Sequence, residues 1–517
     1  MRRVVVAVTA LLVTLGGAVV VSYLLLFSAV ADRAARAVPA DTAIYLNAYL
    51  QPSAGQQMNL FDLVGRLRGF GDPATLEAKI DEIAGRLLGQ AGIDYAADVR
   101  PWLGAQIAIA VAPGEAGSPP NELLLAAVKD SAAARTSVAH LFAPMKIAFK
   151  RETFRGHALM TSEATSYALL DGLLVVATTP ERLRASIEAD ADVAPSLADS
   201  PAFVAAMREV ASDHLASVYL DLPRAAGLPE ARRLGGFGTA TLALTAKADG
   251  LHLEGAARFA ADGASDEASA AFSLGAHPST LAGWMPRTTS AEVVLFGAAQ
   301  SFEDLEASLA GNSAFAPAVD ALNQLRAIAA LGLGINVNRD LLPLFDAEAA
   351  VALRSLNADG FHGQILLRPS DAKAAKAALD RMHSGLADRG SRVTARQVAG
   401  TNVTSVAVPQ IGTVAYALLD GVVVIGLDGA DVAAALEAHE AGETLETDDR
   451  YSAPFELASG HAGNELWADI PSLVDALSGT FDPGSELRDI LHQIGELATS
   501  ATATDDRLEI NGVLTVK

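Results

Sequence analysis

The 517-residue chain has no cysteine, only 5% aromatic residues, and 38 Lys+Arg against 61 Asp+Glu. The absence of cysteine excludes disulfide frameworks, thiolate metal sites, iron–sulfur clusters, cysteine nucleophiles and N-terminal lipid attachment through Cys. Any hold on a membrane must then be made by polypeptide. The shortage of basic residues leaves a formal charge of −23 and a pI near 4.8. Nucleic acid is excluded as a partner, because that affinity comes from clustered Lys and Arg on phosphates.

Catalytic signatures are missing as well. The ten histidines form no H-x-x-x-H or H-E-x-x-H pair, and G-x-S-x-G, P-loop and EF-hand strings do not occur. Ser370-Asp-Ala-Lys373 matches the S-x-x-K string of penicillin-recognising enzymes, but Ser-Asp-Asn and Lys-Thr-Gly are absent, so Ser370 reads as a helix cap. The chain is therefore expected to be no enzyme, with no catalytic residue, no metal ligand and no cofactor. A hydrolase is the remote alternative.

What the chain does have begins at its N-terminus. Val4 to Ala31 is an uncharged stretch of 28 residues, roughly 42 Å long as a helix against a hydrocarbon core of about 30 Å. Arg2 and Arg3 precede it, so the positive-inside tendency predicts a cytoplasmic Met1 and an extracytoplasmic body. A cleavable signal peptide ending at Ala29-Val30-Ala31 is the competing reading, although its apolar core would be unusually long. Without Arg2 and Arg3 the exported part holds 36 basic and 61 acidic residues, spread in the manner of a solvated surface.

The exported part repeats itself. Tyr167-Ala-Leu-Leu-Asp-Gly172 recurs letter for letter at Tyr416–Gly421, an offset of 249. Upstream, the block Gly92–Leu103 resembles Gly334–Phe345, and downstream Tyr219-Leu-Asp221-Leu-Pro223 resembles Trp467-Ala-Asp469-Ile-Pro471. Three blocks in one order at nearly constant offset predict a tandem duplication of about 240 residues per copy. The expected domains are 1–37 (cytoplasmic end, transmembrane anchor and linker), 38–276 (first copy) and 277–517 (second copy). The boundary is placed near 260–280, where Ala261–Ser269 is small and polar.

Within a copy the elements alternate. Strands are read at Ile44–Leu50, Gln106–Ala112 and Glu122–Val128, and helices at Leu76–Leu88 and from Ser131 to Phe142, the latter capped by Ser131. Asp171-Gly172 and Asp420-Gly421 between apolar runs predict two-residue type I′ turns. The fold class is α+β: an N-terminal transmembrane helix followed by two tandem copies of a largely antiparallel sheet with packed helices.

Candidate site residues carry plain structural roles. Asp98 and Asp340, each followed by a Pro three residues on, suit a turn in which the carboxylate accepts backbone N–H bonds. Asp221 and Asp469 close strands ahead of Leu-Pro and Ile-Pro. Trp102 is a candidate both for stacking a ligand and for packing in the core.

The opening Val38-Pro-Ala-Asp-Thr42 and the block Asp98-Val-Arg-Pro-Trp-Leu-Gly104, behind a single span, resemble a bacterial family defined only as a domain of unknown function. The second copy departs from the pattern with Leu344-Phe-Asp346. The resemblance implies a membrane-anchored, extracytoplasmic protein and supplies no catalytic residues. The function expected is non-enzymatic binding of a lipid-like or apolar ligand within or between the copies. The alternative is an envelope scaffold that docks another protein.

Overall fold

The computed structural model describes residues 32–67, 81–82, 85, 88–89, 93–114, 118–143, 147–225, 237–260, 275, 277–299, 336–357, 360–408, 412–458, 460–477, 485–504 and 506–517. The anchor Val4–Ala31, the polar stretch Ala261–Ser269 and most of the helix read at Leu76–Leu88 lie outside the described residues. Among the described residues no helix is long and apolar enough to cross a membrane. The chain divides into two compact units, Met1–Gly263 and Ala264–Lys517.

The described strands of unit 1 are β1 (Ile44–Tyr49), β2 (Leu103–Ala112), β3 (Asn121–Val128), β4 (Lys150–Phe154), β5 (His157–Thr161), β6 (Ser166–Leu170), β7 (Leu173–Ala177), β8 (Ala216–Asp221), β9 (Phe237–Lys247) and β10 (Gly250–Phe259). They pair antiparallel in the order β10-β9-β8-β1-β2-β3-β7-β6-β5-β4. Unit 2 holds β11 (Ala291–Phe296), β12 (Glu348–Asn357), β13 (Gly360–Arg368), β14 (Val393–Val398), β15 (Thr401–Val408), β16 (Gly412–Leu419), β17 (Val422–Gly426), β18 (Asn464–Asp469), β19 (Ile494–Ala503) and β20 (Arg507–Val516). Its order is β20-β19-β18-β11-β12-β13-β17-β16-β15-β14, again antiparallel throughout. Hairpin neighbours need only tight turns, whereas β1 must wait for β8 to arrive.

Helices cover both faces of each sheet near its middle, and the sequence shows it. Every residue of β7 is buried, the mark of a strand with no solvent side. Leu173, Val175 and Ala177 enter one apolar cluster with Leu183 and Ile187 of the helix Pro180–Asp190. Leu174 and Val176 enter another with Ala134 and Val138 of the helix Ser131–Phe142. In unit 2, Val422 and Val424 pack with Val432 and Leu436 of the helix Gly429–Ala441, while Val423 meets Ala375 and Leu379 of the helix Ala372–Asp388. Small alanines let the helices approach closely, which is how a core with few aromatics stays filled.

Local chemistry starts and stops these helices. Thr179 caps Pro180–Asp190 by accepting from the Arg182 N–H, with Pro180 in the first turn. Two caps differ from the sequence reading: Asp130, not Ser131, accepts the N–H groups of Ala132 and Ala133, and Asp371, not Ser370, serves the second helix. An aspartate directly beside the serine makes the stronger, charged acceptor. Ser370 instead donates its hydroxyl to Asp346.

The turns also refine the reading. Asp420 and Gly421 both have positive φ, at 49° and 79°, as a type I′ turn requires, but at the first site only Gly172 does, at 69°. Two further hairpins have both central residues at positive φ, Arg155-Gly156 and Ala399-Gly400. Ala399 at φ 49° carries left-handed strain. Ala399→Asn is expected to stabilise the protein by up to ~1 kcal/mol, read as a higher denaturant midpoint with unchanged slope.

Candidate functional site

Alternation along a strand sends successive side chains to opposite faces, and in unit 2 the strands β18, β11 and β12 use the two faces differently. Outward point Val293 and Leu295 of β11, Val351 of β12 and Leu466 of β18, exposed by 38%, 44%, 44% and 36%. Val293 sits opposite both Val351 and Leu466, so the four side chains form one contiguous apolar strip across three strands. In unit 1 the matching register sets Leu46 opposite Ile109 and Val218, all partly buried. Large apolar side chains placed together in water are the signature of a surface that is covered in use.

Inward, the same strands of unit 2 carry carboxyls. Glu292 of β11 is 1% exposed and neither of its oxygens makes a close hydrogen bond, the Tyr451 hydroxyl being its polar neighbour. Glu465 of β18, opposite Val294 and two residues from Trp467, the partner of Glu292, is also buried, and its Oε2 accepts from the Tyr451 hydroxyl at 3.3 Å. His461 Nε2 lies 3.4 Å from that hydroxyl, its ring stacked on Phe455. Burial pushes the Glu292 carboxyl up to about 8; Glu465 and Glu348 add to the rise and the Tyr451 hydroxyl offsets part of it. Burial likewise pushes Glu465 up to about 7 and lowers His461. Burial thus favours the protonated form of both carboxyls, of Glu292 more than of Glu465.

Glu348 of β12 has a different task. It accepts from Ser279 Oγ at 2.6 Å, from the N–H and hydroxyl of Thr280 at 2.9 Å each, and from the Leu281 N–H at 3.4 Å. In unit 1, Gln106 of β2 does the same with its Oε1, accepting from the N–H groups of Arg33 and Ala34, while its amide donates to Asp32 and Asn47. In each unit one side chain thus satisfies the start of the short helical turn ahead of the first strand.

The residues singled out in the sequence fall elsewhere. Trp102 is 4% exposed, packs with Leu50, Tyr95 and Val99, and donates its ring N–H to the Asp98 carbonyl at 2.6 Å. Asp98 accepts from the Asp94 N–H at 3.1 Å and pairs with His140 at 2.7 Å. Asp340 accepts from the Asn336 N–H at 3.0 Å and is bound by Arg339 and Arg381. Those arginines, Arg339 foremost, hold its carboxyl well below the usual range. Asp221 accepts from the Arg224 N–H and Asp469 from the Ser472 hydroxyl, each closing its strand.

Sequence reading missed both the strip and the carboxyls behind it. The run Ala291-Glu-Val-Val-Leu-Phe296 is apolar on both faces apart from Glu292, so it reads as a fully buried strand with one stray charge.

Fold and surface together define an α+β protein built on antiparallel sheets that are covered by helices on both faces at their centres, with a partly exposed apolar strip beside the centre in unit 2. The family model described as "Protein of unknown function (DUF3352)" matches residues 4–514, and the chain belongs to that family. No curated protein matches it. Three crystal forms of TP0453 resemble it faintly: form III at 13% identity and TM-score 0.26 over 48% of this chain and 88% of that one, form IV at 13% and 0.25 over 43% and 79%, and form I at 11% and 0.23 over 44% and 79%. Likeness at that level carries no argument about fold or role.

Proposed function

We propose that this protein is a membrane-tethered, extracytoplasmic binding protein, with no enzymatic activity, that docks another envelope protein through the outward strip of β18, β11 and β12. The carrying observation is the strip itself: Val293, Leu295, Val351 and Leu466 lie side by side and exposed. A flat apolar face on rigid strands suits a protein surface, whereas a lipid-like ligand is better held in an enclosed cavity. The span Val4–Ala31 behind Arg2 and Arg3 supports the tether and its orientation. The identical strand orders of the two units, with three sequence blocks at nearly constant offset, support descent from a tandem duplication.

The test places a photo-crosslinking amino acid at Leu295 of the full-length chain in its native membrane, with Met58, 68% exposed on the helix Ala54–Arg66, as the control position. The expected result is one protein adduct of defined mass at Leu295, absent from Met58 and lost when Val293→Asp is added. Adducts with lipid alone, or none, overturn the docking reading.

A further inference from the structure

We infer that the N-terminus of the helix Gly429–Ala441 and the facing strand β13 form a binding site for one divalent first-row transition-metal ion, ligated by His362, Asp428, Asp431 and Gln364. The histidine and the two aspartates each offer one ligand atom, and these atoms lie within 4.8 Å of one another. A cation with bonds of about 2.0–2.2 Å fits between atoms at that spacing.

A second observation points into the same place. Gln364 is completely buried, yet its Oε1 has no hydrogen-bond partner. Its Nε2 donates to the Asp431 backbone carbonyl at 2.9 Å, which holds the amide against the first turn of that helix. Asp431 is 1% exposed and its Oδ2 is likewise without a partner. His362 Nδ1 stands 3.9 Å from that oxygen, too far for a hydrogen bond. Two buried acceptors without hydrogen bonds, one of them 3.9 Å from an imidazole nitrogen, cost stability that a bound cation would recover.

The surroundings hold the ligands in position. Asp428 spends Oδ1 on the N–H groups of Ala430 and Asp431 as helix cap, leaving Oδ2 for an ion. Asp431 Oδ1 accepts from Arg354, which leaves the ladder at a register shift between Leu353 and Ser355. A bulge of this kind re-aims a side chain, here fixing the carboxylate so that Oδ2 faces His362. Gly426 allows the approach of strand and helix, because a Cβ there would stand 2.8 Å from the Asp431 Cβ. His362 is part-exposed and gives solvent a way in. With Arg354 cancelling one carboxylate, the net charge predicts moderate affinity, and one imidazole with oxygen donors suits Mn²⁺, Co²⁺ or Zn²⁺ over Ca²⁺. In unit 1 the equivalent helix position is Arg182, bound to Asp41 and Thr42, so the site belongs to unit 2 alone.

The experiment titrates the full-length protein in detergent with Co²⁺, reading visible absorption and thermal stability. One ion per chain is expected, with ligand-field bands stronger than those of hydrated Co²⁺ and a melting temperature that rises with its concentration. Asp428→Asn keeps the cap, since an amide oxygen accepts the same bonds, and should weaken binding at least tenfold. His362→Gln should abolish the bands while leaving the apo melting temperature within a degree or two. Absence of a saturable single site, or saturation unchanged in both variants, overturns the proposal.

Discussion

Replacing Glu292 by Gln is expected to raise the melting temperature of unit 2 by roughly 5 °C at pH 7.5 and to lower it by a few degrees at pH 4.5, where only the cost of the buried amide remains. Folding buries the carboxyl, with neither oxygen in a close hydrogen bond, and pushes it up from an ordinary 4.5 to about 8. A carboxyl that holds its proton more tightly when folded favours folding fully below pH 4.5 and loses that contribution as pH rises through 8. Across that window the loss is on the order of 4 kcal/mol, less what the buried amide of Gln gives back by lacking partners, about 1–3 kcal/mol. Glu292→Met removes charge and amide together and should gain more at neutral pH. Differential scanning calorimetry of both variants from pH 4 to 9 checks it: a wild-type transition independent of pH, or one that rises toward pH 9, refutes the assignment.

Glu348→Ala is expected to destabilise unit 2 by about 3 kcal/mol or more, because it strips the acceptor from the Ser279 hydroxyl and from the N–H and hydroxyl of Thr280 at once. These donors are at or near the protein interior, and water cannot replace a lost partner there at no cost. Glu348→Gln should cost less than ~1 kcal/mol, since Gln106 already serves the matching turn of unit 1 through one amide oxygen. Urea unfolding of the two variants separates a hydrogen-bond role from a charge role. Equal losses in both would mean that charge, not acceptance, is what the turn needs.

Much of the scaffold is legible in the sequence because local signals agree with the fold. The helix Ser131–Phe142 and the strand Asn121–Val128 stand where apolar spacing puts them, and Asp420-Gly421 turns as its chemistry demands. The hairpins at Arg155-Gly156 and Ala399-Gly400 hide because neither Arg nor Ala announces a positive φ. The two caps lie one residue from the serines because Asp and Ser adjoin at both sites and either can cap. The site features are harder to see for a different reason. His362, Asp428 and Asp431 are brought together from a strand and a helix well apart in the chain, so no short motif contains them. Glu292 occupies the inward register that Tyr45 holds in unit 1, a substitution whose meaning depends on which face points inward.

The strand order has a bearing on how the chain is made. In unit 1 the central strand β1 lies between β2 and β8, with Ile44 opposite Leu220. A ribosome adding about 5–20 residues per second needs on the order of ten seconds or more to deliver the second neighbour. During that interval one edge of β1 is an open template, and in unit 2 β11 waits in the same way for β18. Closure across so long a loop is slow, so each unit should fold only after its own synthesis is complete, which makes the nascent chain a natural client for a holding chaperone.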